Sequence, residues 1–158
     1  MRVLLAVIAL AFSLVSGQGV AEDNVILTIN GKITGGTPVN FSRADLEAIG
    51  SATIATTTPW HDGVITFEGV PLSKLMEKVG ASGKIAFVVA LNDYATEIPL
   101  SDFSDYDVIL AIKQNGNYME VADKGPLFVI YPYDDKPELK SETYFSRSAW
   151  QVRTITIE

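Results

Sequence analysis

The densest chemistry in this chain lies in one short segment around Pro59, formed by Thr56, Thr57, Thr58, Trp60 and His61. Three hydroxyls, an indole and an imidazole could make one edge of a polar pocket. The competing reading is a Thr-rich strand closed by a proline turn, with Trp60 as a core plug. His61 is the sole histidine. A lone imidazole without nearby cysteine or clustered carboxylates reads as a loop residue rather than a metal ligand. Asp62 does not change that, because adjacent residues in extended backbone point apart. A second group gathers near the C-terminal end: Tyr131, Tyr133 and Tyr144, with Phe145, Arg147 and Trp150. Exposed, it would suit stacking on a planar heterocycle or a partner protein; buried, it is core. Asp93 and Tyr94 read as a hairpin turn and a cross-strand tyrosine. Asp134, Asp135 and Glu138 lack calcium-loop spacing and its turn glycine, so they read as a solvated acidic loop.

Composition narrows the chemistry. The 158 residues contain no cysteine, which excludes disulfides, thiolate catalysis, iron–sulfur clusters and covalently attached c-type haem. A formal charge of −7 argues against nucleic acid as a partner. No Gly-rich phosphate loop, nucleophile elbow or zinc motif occurs, so hydrolase chemistry has no positive support and no metal ligand set is expected.

Arg2, the apolar stretch from Val3 to Val15, and the small residues ending at Ala21 match a secretory signal peptide over residues 1–21. The apolar run is interrupted by Ser13 and Ser16 and falls short of the about 20 residues a spanning helix needs. The expectation is export to the periplasm or medium, with one domain over 22–158 and no membrane span in the mature chain. A retained N-terminal anchor is the alternative.

These residues need elements to position them. Val25 to Asn30 alternates like a strand, and Ser42 followed by Asp45 resembles a capping box opening a short helix that Gly50 stops. Ala52 to Thr58 is a β-branched strand ended by Pro59, and Val64 to Phe67 is extended again. Pro71 begins a second helix with Leu72, Leu75, Met76 and Val79 on one face and Gly80 at its C-terminal cap. From Ile85 the texture is strand: Ile85 to Leu91, Tyr94 to Leu100, Val108 to Lys113, Tyr118 to Val121 and Leu127 to Tyr131, with turns at Asn92-Asp93 and Asn115-Gly116. The fully apolar runs predict strands buried on both faces. Asp134 to Glu142 reads as an exposed loop, and Trp150 to Ile157 alternates once more.

Four pieces in order, Gly69-Val70-Pro71-Leu72, Asn92-Asp93-Tyr94 with Ile98-Pro99-Leu100, Val108 to Gly116, and Gly125-Pro126-Leu127 running to Pro132, resemble the molybdopterin-binding domain of sulfite oxidase-like oxidoreductases. The resemblance spans roughly Val25 to Ile157 and is closer still to small exported proteins of that fold. It implies an α+β architecture, mixed and mostly antiparallel strands with two short helices. It also implies molybdopterin as the possible cofactor. In active members a cysteine on the strand and loop preceding the Gly-Val-Pro-Leu helix supplies sulfur to molybdenum; here that stretch reads Thr56 to Trp60. A threonine hydroxyl is hard and high in pKa and cannot replace a soft thiolate. After Pro-Leu the family commonly has an arginine, whereas this chain has Phe128. The cofactor phosphate would call for cations, and Lys124, Arg147 and Arg153 are the candidates. By motif, Asp93 and Tyr94 align with a segment that helps build the family's active-site region.

The reading that follows is an exported ligand-binding or accessory and sensory module with a degenerate cofactor cleft. Its partner would be a small molecule or a periplasmic or membrane protein. One alternative is an oxidoreductase that holds the cofactor without protein sulfur, through Thr57, His61 or a companion subunit. The other is an interaction module that uses the Tyr-rich C-terminal end.

Overall fold

The computed structural model describes residues 24–158; the expected signal peptide lies outside the described residues. In chain order the elements are β1 (Val25–Gly31), β2 (Val39–Ser42), α1 (Arg43–Ile49), β3 (Ala52–Thr57), β4 (Val64–Pro71), α2 (Leu72–Val79) and β5 (Ile85–Ala90). They continue with β6 (Ala95–Pro99), α3 (Leu100–Asp105), β7 (Ile109–Gln114), β8 (Asn117–Tyr118), β9 (Phe128–Ile130), α4 (Glu142–Arg147) and β10 (Val152–Ile157).

The strands form two sheets. The first runs β2-β1-β10-β5-β6 and the second β3-β4-β7-β8, with β9 on the other edge of β7. Pairing is antiparallel except between β1 and β10, which run parallel with Thr28 opposite Thr154. The apolar runs behave as expected. Leu110, Ile112 and Val129 face the main core with Leu27, Ile29, Val88 and Ile155. Their neighbours Ile109, Ala111, Phe128 and Ile130 face a second cluster with Phe67 and Ile54. Side chains in a strand alternate between faces, so only a sheet covered on both sides explains an unbroken apolar run.

Local chemistry sets the helices that frame this core. Ser42 N–H donates to Asp45 Oδ2 at 2.8 Å and Asp45 N–H to Ser42 Oγ at 3.1 Å, a reciprocal cap opening α1. In α2 the stripe Leu72, Leu75, Met76 and Val79 is buried, and Gly80 closes the helix at φ 62°, where any side chain would be strained. Gly69 has a different task. A Cβ there would lie 2.1 Å from the Leu110 carbonyl oxygen, so its absence lets β4 cross β7 at the register shift beside Glu68.

Three expectations need correction, the first being the strand from Tyr118 to Val121: only the two-residue β8 forms there, and Val121 opens a one-turn 3-10 helix, Val121–Asp123. The described residues hold four α-helices rather than two. The additional α3 and α4 are six residues each, too short to print a helical stripe on the sequence. The segment from Asp134 to Glu142 is not simply an exposed loop. It contains a one-turn 3-10 helix, Pro137–Leu139, whose Leu139 is fully buried, and it ends by starting α4.

Candidate functional site

The end of β3 and the loop after it form one wall of the site, and each threonine hydroxyl there has its own partner. Thr56 is buried; its hydroxyl donates to the Thr57 carbonyl and accepts from Asp134 N–H, both at 3.1 Å. Thr57 donates through its backbone N–H and its hydroxyl to the two carboxylate oxygens of Asp134, at 2.7 and 2.6 Å. Thr58 Oγ1 lies 2.8 Å from His61 Nδ1 and accepts from Trp60 N–H at 3.3 Å. Burial, with Lys124 nearby, holds the His61 imidazole below its ordinary range, so it is neutral at pH 7.

Asp134 is the clasp between β3 and the segment after β9. Lys140 Nζ lies 2.7 Å from Asp134 Oδ1, and this ion pair together with the Thr57 bonds brings the Asp134 carboxyl down to about 2. The native pKa lies below the ordinary 3.8, so the clasp stabilises the fold above pH 4 and loses that contribution as pH falls through 2. Urea midpoints measured across this window should fall with acidity, and Asp134→Asn should flatten that slope. An unchanged slope would mean that the clasp does not hold in solution.

Trp60 projects into an aromatic assembly. Its ring lies 5.6 Å from Phe128, 5.5 Å from Trp150 and 6.0 Å from Phe145, measured between centroids. Phe145 continues to Tyr133, and Tyr133 to Tyr131. Tyr131 and Tyr133 are buried, so these two candidates are core rather than contact surface. The Tyr131 hydroxyl donates to Asp102 Oδ2 at 2.8 Å, Arg147 donates to the same oxygen at 2.8 Å, and Tyr133 bonds with Ser148. Burial pushes the Tyr131 and Tyr133 hydroxyls upward, so both stay protonated and act as donors or acceptors only.

The candidates therefore divide. Thr56, Thr57, Thr58, Trp60, His61, Trp150 and Lys124 share one region, with the Lys124 ammonium 5.4 Å from the Trp150 ring centroid. Tyr94 joins them across an opening that it shares with Trp60 and Trp150. Asp93 does not: it sits in the expected turn at φ 63° and pairs with Arg153 at the surface, 3.3 Å away. Arg147 is likewise committed elsewhere, to Asp102. The sequence reading missed Asp102 and took Asp134 for a solvated acid, whereas it binds Thr57 and Lys140. Each makes its decisive bonds across long stretches of chain, and no local spacing signals them.

A pterin-bound molybdenum does not fit this donor set. The chain offers no thiolate. The hydroxyls at the threonine wall are taken up by Asp134, His61 and the backbone, and Phe128, Trp60 and Trp150 pack against one another beside that wall. Of the three cations that could meet a phosphate, Arg147 and Arg153 are paired with carboxylates and Lys124 lies against an indole. Among the described residues no three His, Asp or Glu side chains converge.

Fold and lineage are nonetheless clear. The chain belongs to the oxidoreductase molybdopterin binding domain family, whose model matches residues 18–133. Among solved structures it is similar to the sulfane dehydrogenase SoxCD from Paracoccus pantotrophus, with a TM-score of 0.65 and 21% identity. That match covers 85% of this chain and 38% of the other, so this chain spans well under half the length of that neighbour. A search of the curated proteins finds no match.

Proposed function

We propose that this chain is an exported binding or accessory module, a molybdopterin-domain fold whose cofactor cleft has become a packed aromatic wall. The observation that supports it most is the threonine segment. At the place where the resemblance puts a metal-binding thiolate, Thr57 is clasped by Asp134 at 2.6 and 2.7 Å and Trp60 packs against Phe128. A hydroxyl held in such bonds is a weak, hard donor and offers molybdenum nothing comparable to sulfur. On this reading the mature protein works outside the cytoplasm, and its partner is a small molecule or a periplasmic or membrane protein. The N-terminal apolar segment supports that placement.

The test is elemental analysis of protein purified from its native compartment in molybdenum-replete cells. Molybdenum should be far below one atom per chain. A stoichiometric content, accompanied by cofactor absorption, would overturn the proposal and favour the sulfur-free oxidoreductase.

A further inference from the structure

Beside Trp60 the packed wall leaves one opening, a cavity of about 280 Å³ whose lining includes Trp60, Tyr94, Phe145, Trp150 and Glu142. Its walls are angled rather than parallel. The Trp60 ring stands at 69° to Trp150 and 79° to Phe145. An opening lined by four aromatic residues, whose π faces are negative at their centres, suits a compact positive charge. Tyr94 is half-exposed yet fixed, because its hydroxyl donates to the Ser146 carbonyl at 2.6 Å and ties the ring to α4.

Charge points the same way. Glu142 lines this opening, is exposed, and has no hydrogen-bond or ion-pair partner among the described residues, so its carboxylate adds negative charge at the rim. The whole chain carries −7. A quaternary nitrogen has no N–H groups to satisfy and meets aromatic walls through its methyl groups, with the carboxylate supplying charge alone. The larger depression of about 790 Å³ between α1 and α2 lacks this convergence, since Lys74 and Lys78 stand there beside Glu77 and Asp45.

We propose that Trp60, Tyr94, Phe145, Trp150 and Glu142 form a binding site for a small free quaternary ammonium compound of the choline or glycine betaine type. The proposal names the ligand of the binding module and rests on the reading that this cleft does not hold the pterin. Glu142, Phe145 and Trp150 also lie beyond the range 18–133 that the family model matches, so the cage is partly built from sequence outside that model. Lys124 is the opposing influence, since its ammonium lies 5.4 Å from the Trp150 ring centroid.

Tryptophan fluorescence titrations of the full mature chain with choline chloride and with glycine betaine should saturate in the millimolar range. The neutral carbon isostere of choline should not bind. Tyr94→Ala should weaken choline about tenfold by removing one wall. Glu142→Gln should weaken it about threefold, and Lys124→Met should tighten it about threefold by removing a competing cation. All three positions are at or near the surface, and circular dichroism will confirm that the variants fold. Equal binding of the neutral isostere, or binding to phosphatidylcholine vesicles without binding to free choline, would overturn the proposal. Silence toward every cation in molybdenum-free protein would also remove the cage, while the non-catalytic reading would stand. Stoichiometric molybdenum would remove that reading itself.

Discussion

Phe128→Ala is expected to lower the free energy of unfolding by about 3–5 kcal/mol, read from urea denaturation with an unchanged slope. The side chain is fully buried and touches Trp60, Phe67, Trp150 and His61. Removing it leaves a cavity that aromatic neighbours on two sheet-linked segments cannot easily collapse into. Phe128→Arg is the more telling change, because it restores the residue that the family resemblance would place after Pro-Leu. Here the guanidinium would enter an apolar cluster with no carboxylate facing it, and an unpaired buried charge costs more than a cavity. The arginine variant should therefore fail to reach a cooperative folded state under conditions where the alanine variant still does. A normally stable arginine variant would show that the cleft can open, and would return the pterin to consideration.

Asp102→Ala should destabilise by about 3 kcal/mol, measured in the same way. One buried carboxylate oxygen accepts from both the Tyr131 hydroxyl and the Arg147 guanidinium, each at 2.8 Å. Truncation strands a buried phenol and a mostly buried cation, since the Arg147 side chain is 22% exposed. That residual exposure lets water repair part of the loss, which keeps the figure at the low end for a broken buried pair. Asp102→Asn retains an acceptor but not the charge, and should cost about 1–2 kcal/mol. Combining Asp102→Ala with Tyr131→Phe should cost less than the two changes summed, because both break the same bond. Full additivity would mean that the two groups are not coupled.

How far the sequence reveals this molecule depends on whether a feature is local. The helix α2 is legible because its four buried residues fall on one face between Pro71 and Gly80. The doubly buried strands β7 and β9 are legible because they lack any polar alternation. The family motifs carry physical meaning as well: Gly69 is needed where two backbones nearly touch. The helices α3 and α4 were illegible because six residues cannot display a period. In the candidate site, the threonine segment stands out by composition, but its clasp does not. Thr57 and Asp134 are 77 positions apart, and Asp134 carries the same polar signature as the solvated acids beside it. Glu142 likewise reads as the end of a polar loop, because nothing nearby shows that it lines the same opening as Trp60.

The parallel contact between β1 and β10 has a consequence for the timing of folding. In the first sheet β10 lies between β1 and β5, so it alone joins the β2–β1 pair to the β5–β6 pair. Until β10 is in place, this sheet is two separate strand pairs with no hydrogen bonds between them. The first sheet therefore closes only when β10 enters between them, and a variant that weakens this strand should loosen both pairs together.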